Sequence, residues 1–148
     1  MLKKTITYTD YNGEEITEDF YFNLSKAEIM EMEMTMSGGY VEMVRKIVQT
    51  KDIPTITKAF KDIILKAYGE KSADGKRFKK IAADGHRLCD DFTETEAYSV
   101  LFMELMTDAD KAADFVNGIL PADLLEEAEK NKDQLPPDLV NIIENKVQ

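Results

Sequence analysis

The stretch at residues 69–78, GEKSADGKRF, comes close to a phosphate-binding P-loop. In that motif, G-x-x-x-x-G-K-[ST], backbone N–H groups and the lysine hold the phosphates, and the hydroxyl binds Mg²⁺. Here five residues rather than four separate Gly69 from Gly75, and Arg77 stands where the hydroxyl should follow Lys76. The stretch also follows a helical pattern, whereas a P-loop follows a strand and opens a helix. The sequence therefore predicts a turn here rather than a nucleotide site.

Three aspartates, Asp108, Asp110 and Asp114, have part of the spacing of a calcium-binding EF-hand loop. Such a loop needs glycine at its sixth position and glutamate at its twelfth, and Ala113 and Ile119 occupy those places. Carboxylates in a first helical turn are favourable without any metal, because they oppose the positive end of the helix dipole. These aspartates predict the start of a helix.

His86 is the only histidine and Cys89 the only cysteine, and Asp84, Asp90 and Asp91 lie close to them in sequence. One histidine and one cysteine fall short of the tetrahedral set of a zinc site, and nothing would orient the histidine as a catalytic base. We interpret His86 as a loop residue. The sequence predicts no catalytic residue, no metal ligand and no cofactor.

The composition is that of one acidic globular domain. The chain has 148 residues, 43 % of them apolar, and a formal net charge of −10. That charge disfavours non-specific binding to nucleic acid or to an anionic membrane. A single cysteine suits a reducing cytosol, and neither a signal peptide nor an apolar run of about 18 residues is apparent. We expect a cytosolic protein with neither nucleic acid nor membrane as a partner.

The charge is unevenly distributed along the chain. Residues 66–80 contain six Lys or Arg and two Asp or Glu, which gives a net charge of +4. Residues 81–120 contain two Lys or Arg and nine Asp or Glu, which gives a net charge of −7. Opposite potentials on copies of one chain steer docking, so this pattern favours a homo-oligomer. The basic residues that we assign to self-association are Lys71, Lys76, Arg77, Lys79 and Lys80.

The N-terminal half predicts a β-hairpin followed by helices. Strands at 3–8 and 16–22 flank Asn12-Gly13, a pair typical of a type I′ turn. Ser25 and Glu28 have capping-box spacing and open a helix over 26–36. A helix over 40–49 follows, and then one that Asp52 caps and Gly69 ends. The stripe of this last helix consists of Ile56, Phe60, Ile63, Ile64 and Ala67.

The second half predicts two more helices after an irregular segment at 70–90. In that segment Asp74-Gly75 turns the chain, and Phe78 and Ile81 pack it down. A second capping box, Thr93 and Glu96, opens a helix that is apolar nearly all round, so we expect it to be central and buried. Asp108 caps the next helix, whose inward residues are Ala112, Phe115, Val116 and Ile119. No internal repeat is predicted.

The chain divides into two parts on composition. We expect a domain at 1–121 and a proline-hinged amphipathic appendage at 122–148, broken at Pro136-Pro137. The fold class is α+β, mainly α, with the N-terminal hairpin packed on a bundle of about five to six helices.

Two sets of apolar residues are candidates for binding another protein. Methionine side chains are flexible and adapt to varied partners, although the same residues also fill cores. Four methionines alternate in the first helix, and the appendage carries a stripe at helical spacing. The candidates are Met30, Met32, Met34 and Met36, together with Leu139, Ile143 and Val147.

Three blocks of the chain resemble the tail assembly chaperones of long-tailed, non-contractile phages and prophages of Gram-positive bacteria. They are EEITEDFYFNLSKAEIMEME, FKDIILKAYGEKSADGKRF and DDFTETEAYSVLFMELMTDADKAADFVNGILP, and the resemblance covers residues 2–122. It implies a non-enzymatic protein of the infected cell's cytoplasm that coats the tape measure protein before the tube of major tail protein assembles. It also implies self-association and absence from the finished virion. The alternative is a structural tail or connector protein.

Overall fold

The computed structural model describes residues 1–35 and 52–121. The helix predicted over 40–49 and the appendage at 122–148 lie outside these ranges. The described elements, in chain order, are β1 (Leu2–Thr9), β2 (Glu15–Phe22), α1 (Lys26–Thr35), α2 (Ile53–Ala67), β3 (Tyr68–Lys71), β4 (Phe78–Lys79), α3 (Leu88–Thr93), α4 (Glu96–Thr107) and α5 (Ala109–Gly118). The fold is mixed α+β with helices predominant, which confirms the predicted class.

The N-terminal hairpin is antiparallel, with Leu2 opposite Phe22 and Thr9 opposite Glu15. The prediction of a type I′ turn is wrong. Such a turn needs positive φ at both of its central residues, and within the described ranges only glycines have positive φ, so Asn12 does not. Instead, the Asp10 carboxylate accepts the N–H groups of Asn12 and Glu14, each at 2.9 Å. Gly13 has a φ of 82° and donates its N–H to the Asp10 carbonyl. The aspartate side chain thus selects the turn.

A second, short hairpin extends the sheet in the order β1-β2-β3-β4. Strand β3 pairs with β2 at Tyr21 opposite Gly69, and with β4 at Lys71 opposite Phe78. We expected an irregular segment here, because strands of four and two residues carry no readable alternation.

Gly69 follows the C-cap residue Tyr68 but does not form the predicted glycine cap, because its φ is not positive and the extended backbone of Tyr68 leads directly into β3. A Cβ on Gly69 would lie 2.5 Å from the Phe78 ring and 2.6 Å from the Lys79 carbonyl oxygen. Glycine is required here by the close approach of β4 rather than by a left-handed helix end.

The starts of three helices follow the predicted capping residues. The Glu28 N–H donates to the Ser25 hydroxyl and the Ser25 N–H to the Glu28 carboxylate, so the capping box of α1 is closed. Asp52 accepts the Thr55 N–H at the start of α2. Asp108 accepts the first N–H groups of α5, and all four of its predicted inward residues are buried.

The capping box predicted for α4 is wrong. Thr95 is the N-cap, and within the described part of the chain its side chain makes no capping bond. Thr93 ends the short helix α3, which we did not predict. Helix α4 is also not buried all round, since Val100 and Met103 are exposed. Only the stripe of Ala97, Leu101 and Leu105 is fully buried, because the elements that α4 packs on, which are β1, α2, α3 and α5, leave its other side in solvent.

Aromatic side chains form the centre of the core. The rings of Tyr68 and Phe92 stack with centroids 4.4 Å apart, and Phe22 meets Phe92 and Phe115 edge to face. These residues come from β2, β3, α3 and α5, so one cluster joins both hairpins to the helices. Such ring pairs add about 0.5–1.5 kcal/mol each to the apolar area that they bury.

Candidate functional site: charged and apolar surfaces

The stretch that resembles a P-loop forms the β3–β4 turn. The Ser72 N–H donates to the Arg77 carbonyl, and the Ser72 hydroxyl bonds the Asp74 carboxylate at 2.6 Å and accepts the Arg77 N–H. Gly75 has a φ of 74°, as the predicted Asp74-Gly75 turn requires. These groups satisfy one another across the turn, which confirms the interpretation of the stretch as a turn of the chain.

The same turn is built a second time ten residues later. SADGKR at 72–77 is followed by AADGHR at 82–87, and Gly85 has a φ of 95°. The His86 N–H donates to the Asp84 carboxylate at 3.1 Å, as the Lys76 N–H does to Asp74 at 3.0 Å. Our prediction that the chain has no repeat is wrong at this scale. The shared A-D-G-x-R pattern was the available signal.

His86 lies between two carboxylates at the surface. Its Nε2 is 2.7 Å from the Asp91 carboxylate, and its Nδ1 contacts Asp84. These hydrogen bonds, with Asp91 the larger influence, raise the pKa of His86 to about 9, so the imidazole carries a positive charge at neutral pH. Among the described residues, no group of three or more His, Cys, Asp or Glu is placed to hold a metal ion.

The five basic residues assigned to self-association do not share one environment. Lys71, Lys76, Arg77 and Lys79 are exposed on the β3–β4 hairpin, with the Lys71 ammonium 5.6 Å from the centre of the Tyr21 ring. We call these four the basic hairpin. Lys80 instead turns inward.

The Lys80 ammonium is committed to contacts within the molecule. It donates to the carbonyls of Asn23 and Lys66, at 2.9 and 2.6 Å, and pairs with the Glu28 carboxylate. Burial is the largest influence on its pKa, which lies below the usual value. This lysine ties the start of α1 to the end of α2.

The acidic residues of the second half also divide into two groups. Asp90 pairs with Arg87, and Asp91 with His86, so these carboxylates face cations beside them in the fold. Asp110 and Asp114 are exposed one turn apart on α5. Helix α5 packs on α4, and α4 packs on β1, which is the sheet edge opposite β4.

The methionines of α1 divide by face. Met32 is buried in the core, whereas Met30 and Met34 are 59 % and 80 % exposed. The four-residue spacing of Met30 and Met34 places them next to each other on the outer side of the helix. Met36, Leu139, Ile143 and Val147 lie outside the described residues.

Comparison with known families provides the identification. The model of a family described as "Phage tail assembly chaperone" matches residues 1–147. The chain belongs to this family. The match continues past residue 121, where we placed the domain boundary, and so includes most of the appendage. No curated protein and no solved structure matches the chaperone.

Because the chain is a tail assembly chaperone, its exposed surfaces are of interest as surfaces that contact other proteins. A tail assembly chaperone has protein partners, and the described surface of this one offers exposed methionines, a basic hairpin and an acidic helix face. Within residues 1–35 and 52–121, none of its helices has the length and hydropathy that crossing a bilayer requires.

Proposed function

We propose that this chaperone binds the tape measure protein of a phage tail, keeps it soluble until the tube of major tail protein forms, and then leaves. The family match over residues 1–147 is the observation that carries the proposal. A net charge of −10 suits a protein that must keep a long, aggregation-prone client dispersed.

The chaperone acts in the cytoplasm of the infected cell, by binding and not by catalysis. The phage is a long-tailed, non-contractile one of a Gram-positive host, as the sequence resemblance implies.

Mass spectrometry separates this function from that of a structural tail or connector protein. The chaperone is expected in lysates of infected cells and missing from purified virions. Its presence in virions at a level comparable to a tail subunit would overturn the proposal.

The outer face of α1 is the proposed contact with the client. Met30 and Met34 are large, flexible and exposed, so their burial by a client helix would be favourable and their shapes adaptable. Met36 extends the same sequence pattern. The stripe of Leu139, Ile143 and Val147 is the second proposed protein-binding surface, and its proposed partner is a groove of this same chain rather than the client.

A matched pair of variants tests this face. Met30→Glu with Met34→Glu should weaken capture of the tape measure protein in a pull-down, because it charges the proposed contact. Met103→Glu is the control, since Met103 is about as exposed as Met30 but lies on α4. Equal capture by both variants would exclude the α1 face.

Self-association is proposed to use the basic hairpin of one copy and the acidic face of α5 on the next. The two surfaces lie toward opposite edges of the sheet, so the contact is head-to-tail and builds an open array. Reversing Lys76 and Arg77 to Glu should reduce oligomer size in light scattering. Reversing Asp110 and Asp114 to Lys as well should restore it, and failure of this rescue would exclude the pairing.

A further inference from the structure

An open groove lies between the first two turns of α1, the end of α2 and the segment around the turn at 82–87. Its volume is about 320 Å³, at the lower end of the range of about 300–1,000 Å³ that ligand pockets span. Leu24, Met32, Leu65 and Ile81 give it an apolar lining. Ile81 is 59 % exposed, although we predicted that it packs down. Together with the other three apolar lining residues, Ile81 offers a surface against which apolar side chains can pack.

The two walls of the groove carry opposite charges. Glu28 and Glu31 stand on the α1 side, and Lys66 and Arg87 on the other. Glu28 pairs with Lys80, which also lines the groove, Arg87 pairs with Asp90, and Glu31 also interacts within the molecule. An occupant that suits this groove presents an apolar stripe with a cation on one flank and an anion on the other.

We propose that the groove binds residues 139–147 of this same chain as an amphipathic helix. At 100° per residue, Leu139, Ile143 and Val147 form a stripe, with Lys146 toward one flank and Glu144 toward the other. Lys146 then faces the glutamates of α1, and Glu144 faces Lys66. The complementary charges fix the direction in which the helix lies.

The chain leaves the described domain beside this groove. The Leu24 N–H donates to the Ile119 carbonyl at 2.8 Å, and Leu24 lines the groove. Pro121 is two residues further on, and residues 122–138 span up to about 55 Å when extended. Tethering at short range gives the segment an effective concentration in the millimolar range, which favours it over a second copy.

The other segment outside the described residues, 36–51, joins the far ends of these helices. It follows Thr35 at the end of α1 and precedes Asp52 at the start of α2. The groove involves the first two turns of α1, up to Met32, and Leu65, which is 12 residues, or about 18 Å, from the start of α2. The α2 side of the groove is therefore far from the point where residues 36–51 rejoin the domain, whereas Leu24 lies beside Ile119, shortly before the C-terminal segment begins.

Methyl NMR of the full chain, with ¹³C-labelled methionine, tests this docking directly. Met32 lines the groove, and Met103 on α4 does not. Ile143→Asp should shift the Met32 methyl resonance and leave that of Met103 in place. Asn145→Asp is the matched control, because residue 145 lies opposite the stripe, and it should move neither resonance.

Charge variants in the same experiment test the direction of the helix. Lys66→Glu and Glu144→Lys each place like charges opposite one another, so each should shift the Met32 resonance toward its position in Ile143→Asp. The variant that carries both changes restores opposite charges and should return the resonance to the wild-type position.

Several results would overturn the proposal. These are no shift of Met32 in Ile143→Asp, an equal shift in Asn145→Asp, or no return in the double variant. A wild-type resonance that moves to the Ile143→Asp position on dilution would assign the groove to a second copy. A Met32 shift in Ile47→Asp but not in Ile143→Asp would assign it to residues 36–51.

Discussion

Replacing Lys80 with methionine should destabilise the fold. The Lys80 ammonium donates to the carbonyls of Asn23 and Lys66 and pairs with the Glu28 carboxylate. Methionine keeps most of the side-chain volume and donates nothing, so two carbonyls and a carboxylate lose their partner together. The three groups come from the end of β2, the end of α2 and the start of α1, so the effect is one of tertiary structure.

The size of the effect follows from the exposure of the pair. A hydrogen bond to a charged group contributes about 1.5–3 kcal/mol, and its buried partner costs a similar amount when it is left unpaired. The side chains of Lys80 and Glu28 are 23 % and 35 % exposed, so water partly replaces the ammonium. We expect a total loss of about 2 kcal/mol in the free energy of unfolding.

Urea unfolding at neutral pH measures this loss as a lower midpoint urea concentration, with the dependence of the unfolding free energy on urea concentration unchanged. Lys79→Met is the matched control, because Lys79 is the exposed neighbour and its replacement should stay within about 0.5 kcal/mol. In a Glu28→Gln background, which keeps the capping box, Lys80→Met should cost less because no carboxylate is stranded. A loss for Lys80→Met no larger than for Lys79→Met would refute the inward role of Lys80.

Three further predictions concern the described domain. In an NMR titration His86, the only histidine, should titrate with a pKa near 9. The free energy of unfolding should fall as pH rises from 6.5 toward 9, because the folded state holds the proton more tightly than the unfolded state over that range. A midpoint near 6.5 would contradict the bridge to both carboxylates. Gly69→Ala should cost about 1–3 kcal/mol in urea unfolding, since its Cβ would meet β4, and a neutral result would exclude that close approach. Leu101→Ala should cost about 2–5 kcal/mol and Met103→Ala under about 0.5 kcal/mol, whereas similar losses would favour an α4 buried on all sides.

Local signals were sufficient for three helix starts, although they failed for the turn at 10–14 and for the capping box of Thr93 and Glu96. Ser25 with Glu28, Asp52 with Thr55, and Asp108 with the N–H groups that follow it all lie within three residues of each other. The inward stripes of α2 and α5 were likewise readable from a period of 3.6 residues.

The predictions for Gly69 and for the burial of α4 failed because residues distant in sequence decide them. Gly69 is fixed by Phe78 and Lys79 across a strand pair, and the exposure of Met103 depends on which face of α4 meets β1. An apolar helix surface does not by itself say how much of it the neighbours cover.

The candidate surfaces could be predicted from the sequence only in part. The exposed basic residues were found from charge alone, but the inward position of Lys80 depends on Asn23, which is 57 residues away. The repeated A-D-G-x-R turn was visible in the sequence and was missed. The groove was not visible there, because four separate segments assemble it.

Co-expression with the tape measure protein of the same phage tests the central claim most directly. We expect the tape measure protein to move from the insoluble to the soluble fraction and to copurify with this chain. A tape measure protein that stays insoluble at equal expression, or that is soluble without binding this chain, would contradict the claim.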